Sequence, residues 1–278
     1  PPRSTLFPYT TLFRSEVIAR RDGAPLTVLD STHPAQVRRA LAELPRTAAV
    51  VSSKSGSTVE TVTHLAHFEA AFAAAGIDPS ERIVIVTDPG SRLEAHARER
   101  GYRVFLADPE VGGRYSALTA FGLVPSVLAG ADGAALLREA AAAADALRTD
   151  SSDNPGLVLA AAIASGLPER YVACTAERGP RDVGLADWIE QLVAESTGKH
   201  GRGVLPIALS ADAPELTGAL PASAFAVELA VDPDPGELTA EALGAGDSNT
   251  AIPDLTIRVA GTLGAQLLLW ETATAVLG

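Results

Sequence analysis

Five hydroxyl side chains, one lysine and one glycine follow one another in the sequence S-S-K-S-G-S-T, residues 52–58. Hydroxyls and backbone N–H groups are neutral hydrogen-bond donors, and glycine lets a ligand approach the backbone closely. Where such a segment leads into a helix, the unpaired N–H groups and partial positive charge of the helix start favour a phosphate. We call residues 53–58 the hydroxyl loop. We predict that it binds the phosphate of a small metabolite that must be released again.

Other interpretations of the hydroxyl loop are weaker. A nucleotide P-loop needs the spacing G-x-x-x-x-G-K-[ST], which this segment lacks. Ser57 could instead only cap the following helix, with Glu60 completing a capping box. Capping needs one hydroxyl, so the surplus favours phosphate. Lys54 and Lys199 are the two lysines of the chain, against twenty arginines, and both lie in segments rich in Gly, Ser and Thr. Chance placement of the two lysines is the alternative.

Two further segments carry residues suited to chemistry on a sugar. In E-V-G-G-R-Y-S, residues 110–116, two glycines allow a tight turn before Arg114, whose permanent charge can pair with a developing oxyanion. A surface arginine beside a turn is an equally good interpretation. In E-Q-L-V-A-E-S-T-G-K, residues 190–199, Glu195 lies at a helix end, where the helix dipole disfavours a carboxylate. A carboxylate could move a proton between neighbouring sugar carbons, but a solvated terminal glutamate explains the local sequence better.

Short apolar strands alternate with helices along the chain, which predicts open parallel sheets covered by helices on both faces, the doubly wound α/β class. The predicted strands are residues 25–30, 47–52, 82–88, 102–107, 170–175, 203–209, 225–231 and 255–259. The predicted helices are residues 35–44, 57–75, 93–100, 116–128, 134–147, 155–165, 185–195 and 265–277. Residues 232–249, rich in Asp, Pro and Gly, are predicted to form a surface loop.

Composition excludes several classes of protein. A net charge of −12 disfavours a general role in binding nucleic acid or membrane surfaces. The longest uncharged run, Tyr115 to Ala131, is too short for a membrane span and is interrupted by Pro125. Cys174 is the one cysteine, which excludes an internal disulfide and a cysteine-rich metal site. His64 and His67 share a helix face, but a solvated face is the better interpretation than a metal site. We therefore expect a cytoplasmic enzyme or binding protein.

Both ends of the chain are unusual. The eleven residues from Thr5 to Ser15 match the translation of a common sequencing-library adapter. We therefore interpret residues 1–15 as a non-native tail and leave them outside the fold. The other end stops within a helical pattern at A-T-A-V-L-G. We expect a fragment with a first lobe at 16–133, a helical linker at 134–150 and a second lobe at 151–278, truncated at its C-terminus.

Taken together, S-S-K-S-G-S-T-V-E-T, V-G-G-R-Y-S and E-Q-L-V-A-E-S-T-G-K resemble the glucose-6-phosphate isomerase family. The likeness is greatest to the bacterial branch that also occurs fused behind transaldolase. All three motifs occur in the family's order, and the resemblance runs from about Glu16 to the end. It implies two sugar-isomerase (SIS-type) lobes that interconvert glucose 6-phosphate and fructose 6-phosphate as a homodimer, without metal or organic cofactor.

The resemblance also implies a role for each matching residue. Arg114 would stabilise the cis-enediolate, and Glu195 would move the proton between C2 and C1. Gly113, Lys199 and Gln266 would lie near the substrate. The residues that would hold the phosphate, with Thr61 beside the others, are Ser53, Lys54, Ser55, Ser57, Thr58 and Thr61.

The chain departs from the family pattern in three places. The glycine-serine loop expected before Glu16 is replaced by the adapter-like residues, and the C-terminal segment with a ring-opening lysine is missing. The ring-opening histidine of many members has no counterpart, and Gln266 lies near its place. We expect an active isomerase from the intact gene and little or no activity from this chain. Two alternatives are the isomerase half of a transaldolase fusion and a sugar-phosphate sensor, which would need no base such as Glu195.

Overall fold

The computed structural model describes residues 3–7, 12–29, 31–178, 182–199, 203–216, 220–231, 238–244 and 255–278. The chain divides into two compact units, residues 1–133 and residues 134–278. Each unit is built around one five-stranded sheet. No helix within the described part of the chain has both the length and the apolar character needed to cross a bilayer.

The first unit contains an entirely parallel sheet with the strand order β2-β1-β3-β4-β5. Its strands are β1 (Arg3–Phe7), β2 (Leu26–Val28), β3 (Thr47–Ser52), β4 (Ile83–Thr87) and β5 (Arg103–Leu106). The helices are α1 (Leu12–Arg21), α2 (Pro34–Leu41), α3 (Val59–Ala74), α4 (Arg92–Glu99) and α5 (Ala120–Ala129). Parallel strands joined by helices confirm the predicted class.

Strand β3 shows why the sheet carries helices on both faces. Ala49 and Val51 pack into one cluster with residues of α2, α3 and α4, including Phe68. Val50, which points to the opposite face, packs with Phe121 of α5. Successive side chains of a strand alternate between faces, so an uninterrupted apolar run such as A-A-V-V is buried on both sides.

Residues 3–7 and 12–15 belong to the fold, which corrects our placement of residues 1–15 outside it. Strand β1 lies between β2 and β3, with Thr5 opposite Thr27 and Ala49. Arg14 is buried, and its guanidinium donates to the Gly113 carbonyl. Without β1, the facing edges of β2 and β3 would lack backbone hydrogen-bond partners, which is costly inside a sheet. The apolar and β-branched residues of R-S-T-L-F suit that position.

The second unit contains a sheet with the strand order β7-β6-β8-β10-β9. Its strands are β6 (Val172–Glu177), β7 (Leu205–Leu209), β8 (Ala224–Val231), β9 (Thr239–Gly244) and β10 (Leu255–Gly261). Its helices are α6 (Gly133–Arg148), α7 (Pro155–Ala164), α8 (Leu185–Ser196) and α9 (Leu263–Leu277). Helix α6 coincides with most of the segment predicted as a linker, and its Glu139 accepts a hydrogen bond from Gly264 N at the start of α9.

Strand β9 contradicts the prediction of an unbroken surface loop over residues 232–249. It pairs antiparallel with β10, so the second sheet is not wholly parallel. The sequence T-A-E-A-L-G has one β-branched residue, Thr239, and no aromatic residue, so its own strand signal is weak and pairing with β10 forms the strand. The rest of the predicted loop, residues 232–237 and 245–249, lies outside the described residues.

Candidate functional site

The hydroxyl loop lies where an open parallel sheet of this order binds its ligands. The strand sequence reverses direction between β1 and β3, and the loop begins directly at the carboxyl end of β3. Ligands of doubly wound sheets bind beyond the carboxyl ends of the strands at this reversal. Residues 8–11, which follow β1 and overlap the place of the expected glycine-serine loop, lie outside the described residues.

Hydrogen bonds between its own side chains and backbone shape the hydroxyl loop. Ser53 Oγ accepts from Gly56 N at 3.1 Å, and the hydroxyls of Ser55 and Ser57 lie 2.7 Å apart. Ser53 is buried, whereas Ser55, Ser57 and Thr58 are exposed. The loop thus has a fixed inner side and an outer side that offers hydroxyls to solvent.

Gly56 determines how closely the hydroxyl loop packs on the next βα connection. Its φ of +65° is in the left-handed region, where residues with a Cβ are strained. A Cβ added there would lie 2.3 Å from Leu93 Cβ and 2.9 Å from Leu93 N. Only glycine fits this contact with the first turn of α4.

The start of helix α3 leaves its first N–H groups without a side-chain cap. The N-cap is Thr58, which makes no capping hydrogen bond through its side chain. The alternative in which Ser57 caps the helix with Glu60 is therefore wrong. The first four N–H groups of a helix have no intrahelical acceptor, so this end suits an anion. Thr61, in the first turn, is fully buried, and its hydroxyl has no hydrogen-bond partner within the described residues.

Lys54 contacts protein oxygens that lie outside the hydroxyl loop. Its ammonium lies 3.0 Å from Asp88 Oδ2 and donates to the carbonyls of Val111 at 2.8 Å and Pro109 at 3.4 Å. Asp88 follows β4 directly, and sequence reasoning missed it. A carboxylate at the carboxyl end of the strand next to the hydroxyl loop was the signal that could have found it.

Arg114 lies in a 3-10 turn, Gly113–Tyr115, and its side chain is exposed. The Gly113 carbonyl accepts from Ser116 Oγ at 2.7 Å, which fixes the end of the turn. A Cβ at Gly113 would lie 3.9 Å from Lys54 Cδ. The first unit therefore brings the hydroxyl loop and the arginine turn together through Lys54.

Glu195 lies in the last turn of α8, as predicted, and its carboxylate accepts from Gln191 Nε2 at 3.1 Å. The side chain is exposed at the end where the helix dipole is negative. A carboxylate at this end interacts unfavourably with the helix dipole and lowers the stability of the helix, and a functional role would explain its presence.

The opposite end of α8 is occupied by a second glutamate that sequence reasoning missed. Glu177, the last residue of β6, is buried and accepts from Val183 N at 2.8 Å and Ala186 N at 3.1 Å. Burial raises the pKa of its carboxyl, against the opposing effect of these backbone donors. An acidic residue eight positions before a helix was the available signal.

Lys199 and Gln266 have different surroundings in the second unit. Lys199 is exposed, and its ammonium lies 3.5 Å from the carbonyl oxygen of Gly278. Gln266 is fully buried in the first turn of α9 and donates to the carbonyls of Ala230 at 2.7 Å and Gly261 at 2.9 Å. Gln266 joins α9 to the ends of β8 and β10. Within the described ranges, no three His, Cys, Asp or Glu residues are grouped so as to hold a metal ion.

Comparison with known proteins identifies relatives named glucose-6-phosphate isomerase. The chain is 36% identical over 196 residues to a probable glucose-6-phosphate isomerase of Haloarcula marismortui, a match that covers 69% of this chain and 44% of the relative. It is 37% identical over 186 residues to the glucose-6-phosphate isomerase of a Synechococcus strain, covering 63% of this chain and 35% of the relative. No protein-family model matches. The chain thus has homologues named glucose-6-phosphate isomerase, and its match spans less than half the length of either one.

A solved structure supports the same fold. The glucose-6-phosphate isomerase of Chlamydia trachomatis superposes with a TM-score of 0.78 at 19% identity, covering 99% of this chain and 64% of that one. At this identity the likeness establishes the α/β fold of the sugar-isomerase type and nothing finer.

Proposed function

We propose that this chain is part of an aldose–ketose isomerase that interconverts glucose 6-phosphate and fructose 6-phosphate. The observation that carries the proposal is the joint occurrence of the hydroxyl loop, the arginine turn and Glu195 in a chain whose relatives bear that name. The loop supplies neutral donors at an uncapped helix start, which suits a sugar phosphate that must dissociate again. From the family resemblance, we also propose a cytoplasmic homodimer.

The reaction needs a base, a proton donor and stabilisation of negative charge, and it is balanced without another reactant. A base removes the proton from C2 of the open aldose, the C2–H electrons form a C1–C2 double bond, and the electrons of the C1 carbonyl move to O1, which takes up a proton. The C2 hydroxyl then loses its proton as the C2 carbonyl forms, and the base delivers to C1 the abstracted proton or one exchanged with solvent. We assign the base to Glu195, whose exposed carboxylate can reach a ligand. We assign stabilisation of the enediolate oxygen to Arg114, which stays charged at any working pH.

Proton exchange at C1 tests this proposal more directly than overall turnover. Purified chain is incubated with fructose 6-phosphate in D2O, and loss of the C1 proton signal is followed by NMR. We expect slow exchange in the wild type and a rate lower by about a hundredfold or more in Glu195→Gln, because general base catalysis contributes at least that much. Glu190→Gln, on the same helix, is the matched control and should retain the exchange rate.

The possible results separate the isomerase from a non-catalytic binding protein. Exchange that survives Glu195→Gln unchanged would show that another group is the base. Binding of fructose 6-phosphate without any exchange, in this chain and in the intact protein alike, would contradict the isomerase and favour the sensor. A wild type that neither binds nor exchanges would contradict both.

A further inference from the structure

The contacts of Lys54 indicate a role different from phosphate binding. An ammonium group has three N–H donors, and three protein oxygens surround this one: Asp88 Oδ2, the Val111 carbonyl and the Pro109 carbonyl. These contacts account for the donor capacity of Lys54. A phosphate could gain this ammonium only at the expense of one of them.

Asp88 holds Lys54 through backbone and side chain. Its N–H donates to the Lys54 carbonyl at 3.3 Å, while its carboxylate pairs with the Lys54 ammonium. The preceding Thr87, fully buried, lies with its hydroxyl 2.6 Å from the Ser53 carbonyl and 3.1 Å from the Lys54 carbonyl. The end of β4 thus fixes the first two residues of the hydroxyl loop.

Lys54 in turn reaches the segment that carries Arg114. Its aliphatic stem passes Gly113, where a Cβ would stand 3.9 Å from its Cδ, and its ammonium lies 6.0 Å from the centre of the Phe121 ring. The side chains of Lys54 and Asp88 are 33% and 17% exposed, so solvent screens the pair less than it screens a surface ion pair.

We propose that Asp88 is a positioning residue that keeps Lys54 against the 109–111 carbonyls, so that Lys54 fixes the turn of Arg114 instead of binding the phosphate. The inference rests on the proposed function for its catalytic consequence. A charge that stabilises an enediolate must be in position before the reaction begins. If the turn samples several conformations, Arg114 occupies that position for less of the time and stabilises the enediolate less. Loss of the Lys54–Asp88 pair should therefore loosen the turn and spare phosphate affinity.

Hydrogen–deuterium exchange of the ligand-free chain, followed by mass spectrometry, tests the first consequence. Peptides covering residues 109–116 are compared among the wild type, Asp88→Asn, Lys54→Met and the double variant. We expect exchange to rise about fivefold in each single variant, and no further in the double, because both substitutions remove the same interaction. Glu110→Gln, which removes an exposed carboxylate of the same segment, is the control and should match the wild type. A peptide from β8, in the other unit, serves as the internal reference for global stability.

Inorganic phosphate titration, observed by NMR, tests the second consequence. We expect the affinity of Lys54→Met to stay within about threefold of the wild type, whereas a lost charged ligand would weaken it by about tenfold or more. Unchanged exchange in both single variants, additive increases in the double variant, or a tenfold loss of phosphate affinity in Lys54→Met would each overturn the proposal. The exchange result is independent of turnover, so it can stand even where the C1 proton experiment contradicts the isomerase.

Discussion

Helices α3 and α8 both begin after a parallel strand of their sheet, and the chain treats their N-termini in opposite ways. At α8, the Glu177 carboxylate accepts hydrogen bonds from Val183 N and Ala186 N. At α3, the N-cap Thr58 makes no side-chain capping bond, and the preceding loop carries hydroxyls and no carboxylate. Each helix start attracts negative charge through its dipole and unpaired N–H groups. At the start of α8 a carboxylate of the protein accepts these hydrogen bonds, whereas the start of α3 is suited to accept an anion from a ligand.

The difference also shows how a fold with two similar sheets can hold a phosphate in one of them. A buried internal carboxylate at a helix start repels a second anion, so α8 is a poor phosphate site. The hydroxyl loop avoids that repulsion and stays neutral, since the charge of Lys54 is paired with Asp88. Three substitutions test this distinction, in decreasing order of expected effect.

The largest effect should come from Gly56→Ala, which disturbs the loop at α3. The new methyl group would overlap Leu93, and alanine would be strained at the φ of +65° that this position adopts. We expect a loss of about 2–4 kcal/mol in the free energy of unfolding, together with loss of phosphate binding. Urea denaturation and phosphate titration by NMR measure the two effects.

Gly76→Ala is the matched control for this substitution. Gly76 has a similar φ of +69°, but a Cβ there meets nothing within 4 Å. The backbone cost alone, about 1 kcal/mol, should remain, and phosphate binding should be retained. Equal losses in the two variants would show that the contact with Leu93 does not matter.

The contacts at Gly56 illustrate which parts of the molecule the sequence predicts and which it does not. Strand β3 was predicted with its observed ends, because an apolar run between a turn and polar residues is a local signal. Helix α8 was predicted to within one residue for the same reason. The place of the hydroxyl loop followed from its position directly after a predicted parallel strand, since ligands bind beyond the carboxyl ends of such strands.

The errors come from interactions between residues far apart in the chain. Strand β9 exists because β10 pairs with it, although its own sequence gives only a weak strand signal. Residues 3–7 complete a sheet, a pairing that we did not predict because their sequence resembles an adapter. The partners of Lys54 are 34, 55 and 57 positions away, and spacing alone cannot identify them.

An intermediate effect should come from Thr58→Asp, which places a carboxylate at the start of α3, where α8 has that of Glu177. An aspartate N-cap should raise the free energy of unfolding by about 0.5 kcal/mol. The same carboxylate should weaken phosphate binding by about tenfold, because it competes for the helix start and repels the ligand. Thr63→Asp adds the same charge at an exposed position further along α3, and there phosphate affinity should stay near the wild-type value. If the two variants lose affinity equally, overall charge and not the helix start governs binding.

The smallest effect should come from Glu177→Gln, which keeps an acceptor at α8 but removes its charge. Burial raises the pKa of the Glu177 carboxyl in the folded state above the unfolded value, about 4.3. Between these two pKa values the folded state binds more protons, so wild-type stability falls as pH rises through this window. The glutamine variant lacks this titration, so its urea midpoint should rise relative to that of the wild type as the pH increases above the unfolded pKa of the glutamate. If the urea midpoint of the wild type instead rises relative to that of the variant as pH increases, the N–H groups at the start of α8 stabilise the carboxylate more than burial disfavours it. The α8 start would then favour anions as strongly as the α3 start, and the contrast between the two helices would lie only in which anion is present.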